Sequence, residues 1–274
     1  MVRMNEAVSK AIMKNYLKEI MKRRDLLFYL VKSGLKAENR NSYLGYFWWL
    51  LDPLLNVLVY YFLVGIILGR GGENFGVFLV IGLVAWRWMN TTITTSAKSI
   101  TKYRSIINQV NLPKSIFPLS FTLTQLVNYL FGLIVIAIFL AFSGTVPGWQ
   151  VVYLPLIILV QLLFLTGFSL FIAYITVFVR DIDNILSHIM RLFFYASPII
   201  WEGGRLLGKI PEGLNFLIFS NPVAIIITSY RDILMDHQNP QFLGLFIIAV
   251  LSIAFIIIML RHYHRNEHKI IKAL

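Results

Sequence analysis

Cysteine is absent from the 274 residues, which excludes disulfides, thiolate catalysis and Cys-ligated zinc. Charge is scarce as well. Asp, Glu, Lys and Arg together make up 14%, against about 25% in an ordinary globular domain. The charge that is present leans one way: 25 Lys and Arg stand against 13 Asp and Glu, a net of +12. In a soluble chain that excess would point to nucleic acid. With 58% apolar residues and a mean hydropathy of +0.71, it points instead to a membrane protein with basic cytoplasmic loops. Membrane lipid is the expected surroundings, and no nucleic-acid partner is expected. Lys, Arg and Glu crowd the first 25 or so residues, so no signal peptide is expected.

A membrane-crossing helix takes about 20 mostly apolar residues. Six stretches qualify: 48–69, 77–96, 116–142, 151–179, 185–201 and 242–260. A seventh, 214–235, is split by Ser220-Asn221-Pro222, and proline disfavours helix in the residue before it. It reads as a re-entrant helical pair at about 212–235, dipping in from one side between spans 5 and 6. Lys and Arg number ten before Trp48, four between Ala97 and Ser115, one at Arg180 and four after Leu260. The positive-inside rule therefore puts both termini in the cytoplasm. The expected fold is all-α and integral to the membrane, with six transmembrane helices in a permease domain at 48–260. Before it, 1–47 is a cytoplasmic amphipathic segment that forms an N-terminal interfacial helix. After it, 261–274 is a basic cytoplasmic tail. In the first segment Ile12, Met13, Tyr16, Leu17, Ile20 and Met21 recur at helical spacing with lysines between them, the pattern of a helix lying among headgroups. Gly34 and the polar run 38–42 are expected to break that segment before the first span.

Covalent chemistry finds little support. Gly203-Gly204-Arg205-Leu206-Leu207-Gly208-Lys209 has the glycine and lysine spacing of a phosphate-binding loop, but Ile210 stands where Ser or Thr should hold magnesium. No strand precedes it, so it reads as a glycine-rich turn. His262, His264 and His268 cluster beside Glu267; a basic tail at the headgroups is the plainer reading, and no metal site is expected. No Ser–His–acid spacing or facing carboxylate pair appears, so no catalytic residue is assigned.

Ionisable residues at bilayer depth are costly and mark cavities or bundle interiors. Arg87 lies near the middle of the second span, within Trp86-Arg87-Trp88-Met89-Asn90-Thr91, and Arg191 lies in the fifth, shortly before Tyr195. The alternative for Arg87 is snorkelling to an interface, with its two tryptophans as an aromatic belt. Asp52, a few residues into the first span, reads as interfacial. Aromatics make up 15%. Most anchor or pack helices, but their faces also suit the C–H faces of sugar rings. Candidate channel-lining residues are Tyr60, Tyr61, Arg87, Trp88, Asn90, Thr91, Arg191 and Tyr195.

Several short motifs follow one another along the chain. Tyr43-Leu44-Gly45-Tyr46-Phe47-Trp48-Trp49-Leu50-Leu51-Asp52-Pro53 is followed by Gly82-Leu83-Val84-Ala85-Trp86, then by Val110-Asn111-Leu112-Pro113-Lys114 with Phe117-Pro118-Leu119. Phe178-Val179-Arg180-Asp181-Ile182, Ser197-Pro198-Ile199, Asn221-Pro222 and Arg231 continue the series. Together, from about residue 23 to 235, this order resembles the membrane subunits of type-2 ABC exporters that move polysaccharides such as O-antigen, teichoic acid or capsule.

The resemblance implies a homodimer in the bacterial cytoplasmic membrane, passing a lipid-linked polysaccharide through a central channel. Two copies of a separate ABC ATPase would bind the ATP and magnesium, and this chain would bind no cofactor. It further implies that Tyr43, Leu44, Gly45, Trp48 and Trp49 form the gate by which substrate enters. Ser105, Ile106, Ile107, Asn108, Gln109, Leu112, Pro113 and Lys114 match the coupling segment that docks on the ATPase. Arg180, Asp181, Pro198, Asn221, Pro222 and Arg231 fall in structural motifs. Arg87 matches no family-wide motif, so its role rests on burial cost alone. A small-molecule or drug exporter of the same superfamily is the alternative, favoured by a narrow apolar cavity. An ATP-independent secondary transporter would need deep carboxylates.

Overall fold

The computed structural model describes residues 16, 18–39, 43–69, 72, 74–110, 112–179, 181–201 and 221–274. Among them, five helices are long and apolar enough to cross a membrane: Trp48–Ile67, Phe75–Ala97, Ile116–Ser143, Trp149–Phe178 and Phe242–Arg265. Their bounds follow the apolar stretches closely, because in lipid a helix satisfies every backbone N–H and C=O within itself. The first begins as α2 (Trp48–Tyr60) and ends in a π-helical turn, Tyr61–Ile67. It follows α1 (Arg24–Asn39). Next come α3 (Phe75–Ala97), the short α4 (Ser99–Lys102) and α5 (Arg104–Gln109), and α6 (Ile116–Ser143). A 3₁₀ turn at Trp149–Tyr153 leads into α7 (Leu154–Phe178); α8 (Ile182–Ala196), α9 (Pro222–Leu234) and α10 (Phe242–Ala273) complete the chain.

The hub is α3, whose apolar window is 78% buried against 17% for the first span. Its neighbours are α2, α6, α7, α8 and α9. Buried side-chain hydrogen bonds fasten this hub. Ser169 on α7 donates to Ser96 at 2.6 Å and accepts from Thr122 at 2.9 Å. Gln161 donates to the Ala85 carbonyl at 3.1 Å and accepts from Tyr230 at 2.8 Å.

Polar contacts mark two ends of the bundle. At one, Lys98 pairs with Asp183 at 2.5 Å and Lys114 with Glu267 at 3.0 Å, and the Tyr16 and Ser115 hydroxyls lie 3.0 Å apart. At the other, Gln150 donates to the His237 carbonyl at 2.6 Å, and the His237 ring nitrogen sits 2.8 Å from the Val146 carbonyl.

Several expectations are corrected. The apolar stretch 185–201 is not one long helix: α8 spans Ile182–Ala196 and gives way to a turn at 197–199. At 1.5 Å per residue it reaches only about 22 Å. Its composition explains the shortness, because Asn184, Ser187, His188, Arg191 and Tyr195 share one face at helical spacing. Gly34 does not break the N-terminal helix, which runs on to Asn39. It instead lets α1 approach α6, where a Cβ would stand 3.2 Å from Thr124 Oγ1. Nor is the tail a segment separate from the last helix. Helix α10 continues through it with a kink at Asn266, and Tyr263, Ile270 and Leu274 are buried with Tyr16, Ile107 and Phe117. His264 rests edge-on against Tyr16, and His262 against Tyr174. The glycine-rich turn 203–210, Asn111, Arg180 and the first half of the expected re-entrant pair lie outside the described residues.

Candidate functional site

Two clefts meet at Arg87. The first, about 340 Å³, opens between α2, α3 and α6 and is lined by Trp48, Trp49, Asp52, Arg87, Trp88, Thr91, Gln125 and Asn128, among others. The second, about 520 Å³, lies between α2, α3 and α8, with Asn56, Tyr60, Arg87, Asn90, Thr91, Thr94, Ser187, Arg191 and Tyr195 on its walls. Helical spacing builds the second one. Arg87, Asn90, Thr91 and Thr94 fall on one side of α3, facing Ser187, Arg191 and Tyr195 on α8. The Lys98–Asp183 pair ties the same two helices one turn further along. Thr91 and Thr94 donate to carbonyls four residues back, Arg87 and Asn90, both at 2.7 Å. Tyr60 and Trp86 lie against Phe194, with ring centroids 5.5 and 5.7 Å apart.

The structure thus brings Tyr60, Arg87, Asn90, Thr91, Arg191 and Tyr195 around one cleft. Trp88 lines the other, stacked on Tyr129 at 4.3 Å. Tyr61 lines neither and lies against Phe75, where the first span passes into its π-helical turn. The aromatic-belt reading of Trp86 and Trp88 is corrected, since both are buried. Asp52, read as interfacial, has a partner that this reading did not include: its carboxylate accepts a 2.7 Å hydrogen bond from Arg87. Two opposite charges on consecutive apolar helices were the signal for this pair. Their rotation about the helix axes, which decides whether they meet, cannot be read from spacing.

Among the gate residues, Tyr43 and Leu44 are exposed and Gly45 turns the chain with φ +49°, a left-handed conformation that costs glycine nothing. Trp48 and Trp49 then face the first cleft, with Trp49 against Phe131 at 4.7 Å. In the coupling segment Ser105, Ile106, Asn108 and Gln109 are exposed, whereas Ile107, Leu112, Pro113 and Lys114 are buried within the chain. Lys114 is only 1% exposed and spends its charge on Glu267. Burial raises the pKa of the Tyr16 hydroxyl beneath this segment, so it stays protonated.

Several of the remaining motif residues meet around Arg231. Arg231 donates from Nη2 to the carbonyls of Phe78 at 3.0 Å and Ile199 at 2.8 Å, and from Nη1 to that of Pro198. Its guanidinium lies 3.4 Å over the Phe78 ring. Gly82 is there because a Cβ would collide with Arg231 Nη2. Asn221 caps α9 by accepting from the Val223 N–H at 2.9 Å, and it donates to Ser197 at 2.8 Å; Pro222 fills the first helical position, where no N–H is needed. Asp181 is exposed at the start of α8. Among the described residues no group of three metal-ligating side chains occurs.

Comparison with known proteins decides the family. The model of the ABC-2 type transporter matches residues 25–235. The chain belongs to the ABC-2 type transporter family. Among its relatives is the O-antigen export system permease protein RfbA of Myxococcus xanthus, 30% identical over 239 residues, which cover 87% of this chain and 91% of that one. A protein of the same description from Klebsiella pneumoniae is 33% identical over 213 residues, covering 77% of this chain and 81% of its own length. Another from that organism is 29% identical over 237 residues, 84% and 90% of the two chains. This family chain is a multi-pass membrane protein.

Proposed function

We propose that this chain is the permease subunit of an ATP-driven exporter that carries a lipid-linked polysaccharide of the O-antigen type out across the cytoplasmic membrane. The observation that carries the reading is the near full-length similarity to O-antigen export permeases. The polar, aromatic-walled cleft between α3 and α8 agrees with it, since sugar hydroxyls need polar partners and sugar faces need flat ones. An apolar drug cavity would be lined differently.

A separate ABC ATPase, in two copies, supplies the energy with its own ATP and magnesium. It meets the exposed residues Ser105, Ile106, Asn108 and Gln109, while Ile107, Leu112, Pro113 and Lys114 brace them from beneath. Two copies of the chain close the cleft into a channel, and Tyr43–Gly45 with Trp48 and Trp49 admits the lipid-linked end. Six crossings with both termini inside are supported by the polar contacts at the bundle's ends. Asp183 lies at the Lys98 end and His237 at the Val146 end, as one more crossing between them requires.

The test is co-purification with the ATPase encoded beside this chain, followed by ATP hydrolysis in nanodiscs with an undecaprenyl-linked glycan. A two-plus-two complex whose hydrolysis responds to the glycan, and loses that response on Ile106→Asp, is the expected result. A chain that binds no ATPase and moves a solute down an ion gradient would overturn the reading.

A further inference from the structure

Charge does not balance where the two clefts meet. Arg87 and Arg191 line the cleft between α3 and α8, and Asp52 is the one carboxylate on the walls of either cleft. Asp52 accepts a single 2.7 Å hydrogen bond, from Arg87 Nη2. The other N–H groups of Arg87 make no hydrogen bond to any described residue, and Arg191 has no polar partner among the described residues. The side chains of Arg87 and Asp52 are 36% and 39% exposed, so a ligand reaches both without the helices parting. Two guanidinium groups with spare donors suit a tetrahedral oxyanion, which they grip bidentately.

We propose that Arg87 and Arg191 form a binding subsite for a phosphate ester, and that Asp52 is the resting counter-ion which the phosphate displaces from Arg87. The proposal rests on the export reading for the identity of the cargo. The phosphate is either the one joining a carrier lipid to its glycan or the headgroup of an anionic phospholipid. Asp52 makes the subsite selective, because a neutral sugar or a weakly held anion does not displace a carboxylate already hydrogen-bonded at 2.7 Å. Displacement also has a mechanical effect. The pair joins the first span to the second, and both clefts share Pro53, Arg87 and Thr91. Releasing Asp52 therefore frees a side-chain bond between these two spans, at the partition between the gate side and the α8 side.

The chain alone, without ATPase or glycan, in phosphatidylcholine nanodiscs, is titrated with farnesyl diphosphate and, as a control, farnesol. Quenching of the tryptophans beside Arg87 reads binding. Arg87→Gln and Arg191→Gln should each weaken diphosphate binding about tenfold, the loss of one charge-assisted contact, and Asp52→Asn should tighten it severalfold. Farnesol binding should not change. Arg191 sits on an exposed helix face, so its variant tests the subsite even where Arg87→Gln folds poorly, and Arg87→Lys should restore part of the affinity. In nanodiscs containing phosphatidylglycerol, competition that vanishes in Arg191→Gln identifies the headgroup as the ligand, and absence of competition identifies the carrier linkage; both support the subsite. Parent-like affinity in Arg87→Gln and Arg191→Gln would overturn it, and weaker binding in Asp52→Asn would overturn the role of Asp52. Because no ATPase is present, either failure leaves the export reading standing. Diphosphate binding as expected in a chain that recruits no ATPase would sink the export reading alone.

Discussion

Arg231 and Arg87 are the same residue in two unlike settings. Arg231 is 5% exposed, bonded to three backbone carbonyls and stacked on Phe78. Arg87 is one-third exposed at the junction of two clefts and bonded to one carboxylate. The first spends its donors on the Pro198 and Ile199 carbonyls of the turn after α8 and on the Phe78 carbonyl of α3, and so it holds elements together. The second keeps donors in reserve. Burial depth alone does not separate a structural charge from a working one; the number of donors left over does.

The sharpest way to break the contrast is Arg231→Met. It strands the carbonyls of Pro198 and Ile199, each at a cost of about 1–3 kcal/mol, and removes the bond to the Phe78 carbonyl. Folded, monodisperse protein should be lost, as size-exclusion elution in detergent would show; an intact, parent-like melt would erase the distinction. Gly82→Ala acts on the same site by crowding it and should cost about 1–3 kcal/mol, read as a lowered thermal midpoint. Lys114 tests an intermediate case, a sealed cation with one carboxylate partner. Lys114→Met and Glu267→Gln should each destabilise, and the double variant should recover about 0.5–3 kcal/mol of the sum in a thermal double-mutant cycle. Arg87→Gln sits at the opposite pole: stability should move by less than about 1 kcal/mol, as for a partly exposed ion pair, while export falls at least tenfold. Tyr61→Ala, outside both clefts, should leave stability and export unchanged within error.

Much of this architecture was legible in the sequence. The five long helices match their apolar runs to within a few residues, apart from the last, which continues as helix into the tail. Lipid imposes a length and a composition, and both survive in the linear text. The α8 segment was the exception, because a helix with one polar face and one apolar face has too little hydropathy to declare its ends. Six of the eight channel candidates gather at one cleft, since polar and aromatic residues at helical spacing share a face whichever way the helix is turned. Contacts between helices were not legible. The Asp52–Arg87 pair, the meeting of Gly82, Pro198, Ile199 and Arg231, and the Ser96–Thr122–Ser169 cluster all depend on the rotation of one helix against another. The burial of Lys114 was hidden for the same reason, its partner lying 153 positions later.

That separation has a consequence for the order in which the protein comes into being. Ile107 shares a buried cluster with Tyr16, Tyr263 and Ile270, and Lys114 pairs with Glu267, so the bed of the segment 105–114 comes from both ends of the chain. A ribosome that has made the first five helices has yet to supply half of that bed. The surface proposed to receive the ATPase therefore takes shape only after the final helix has been inserted and folded back. A truncated or stalled chain would offer no finished platform, and the motor would engage completed permeases alone.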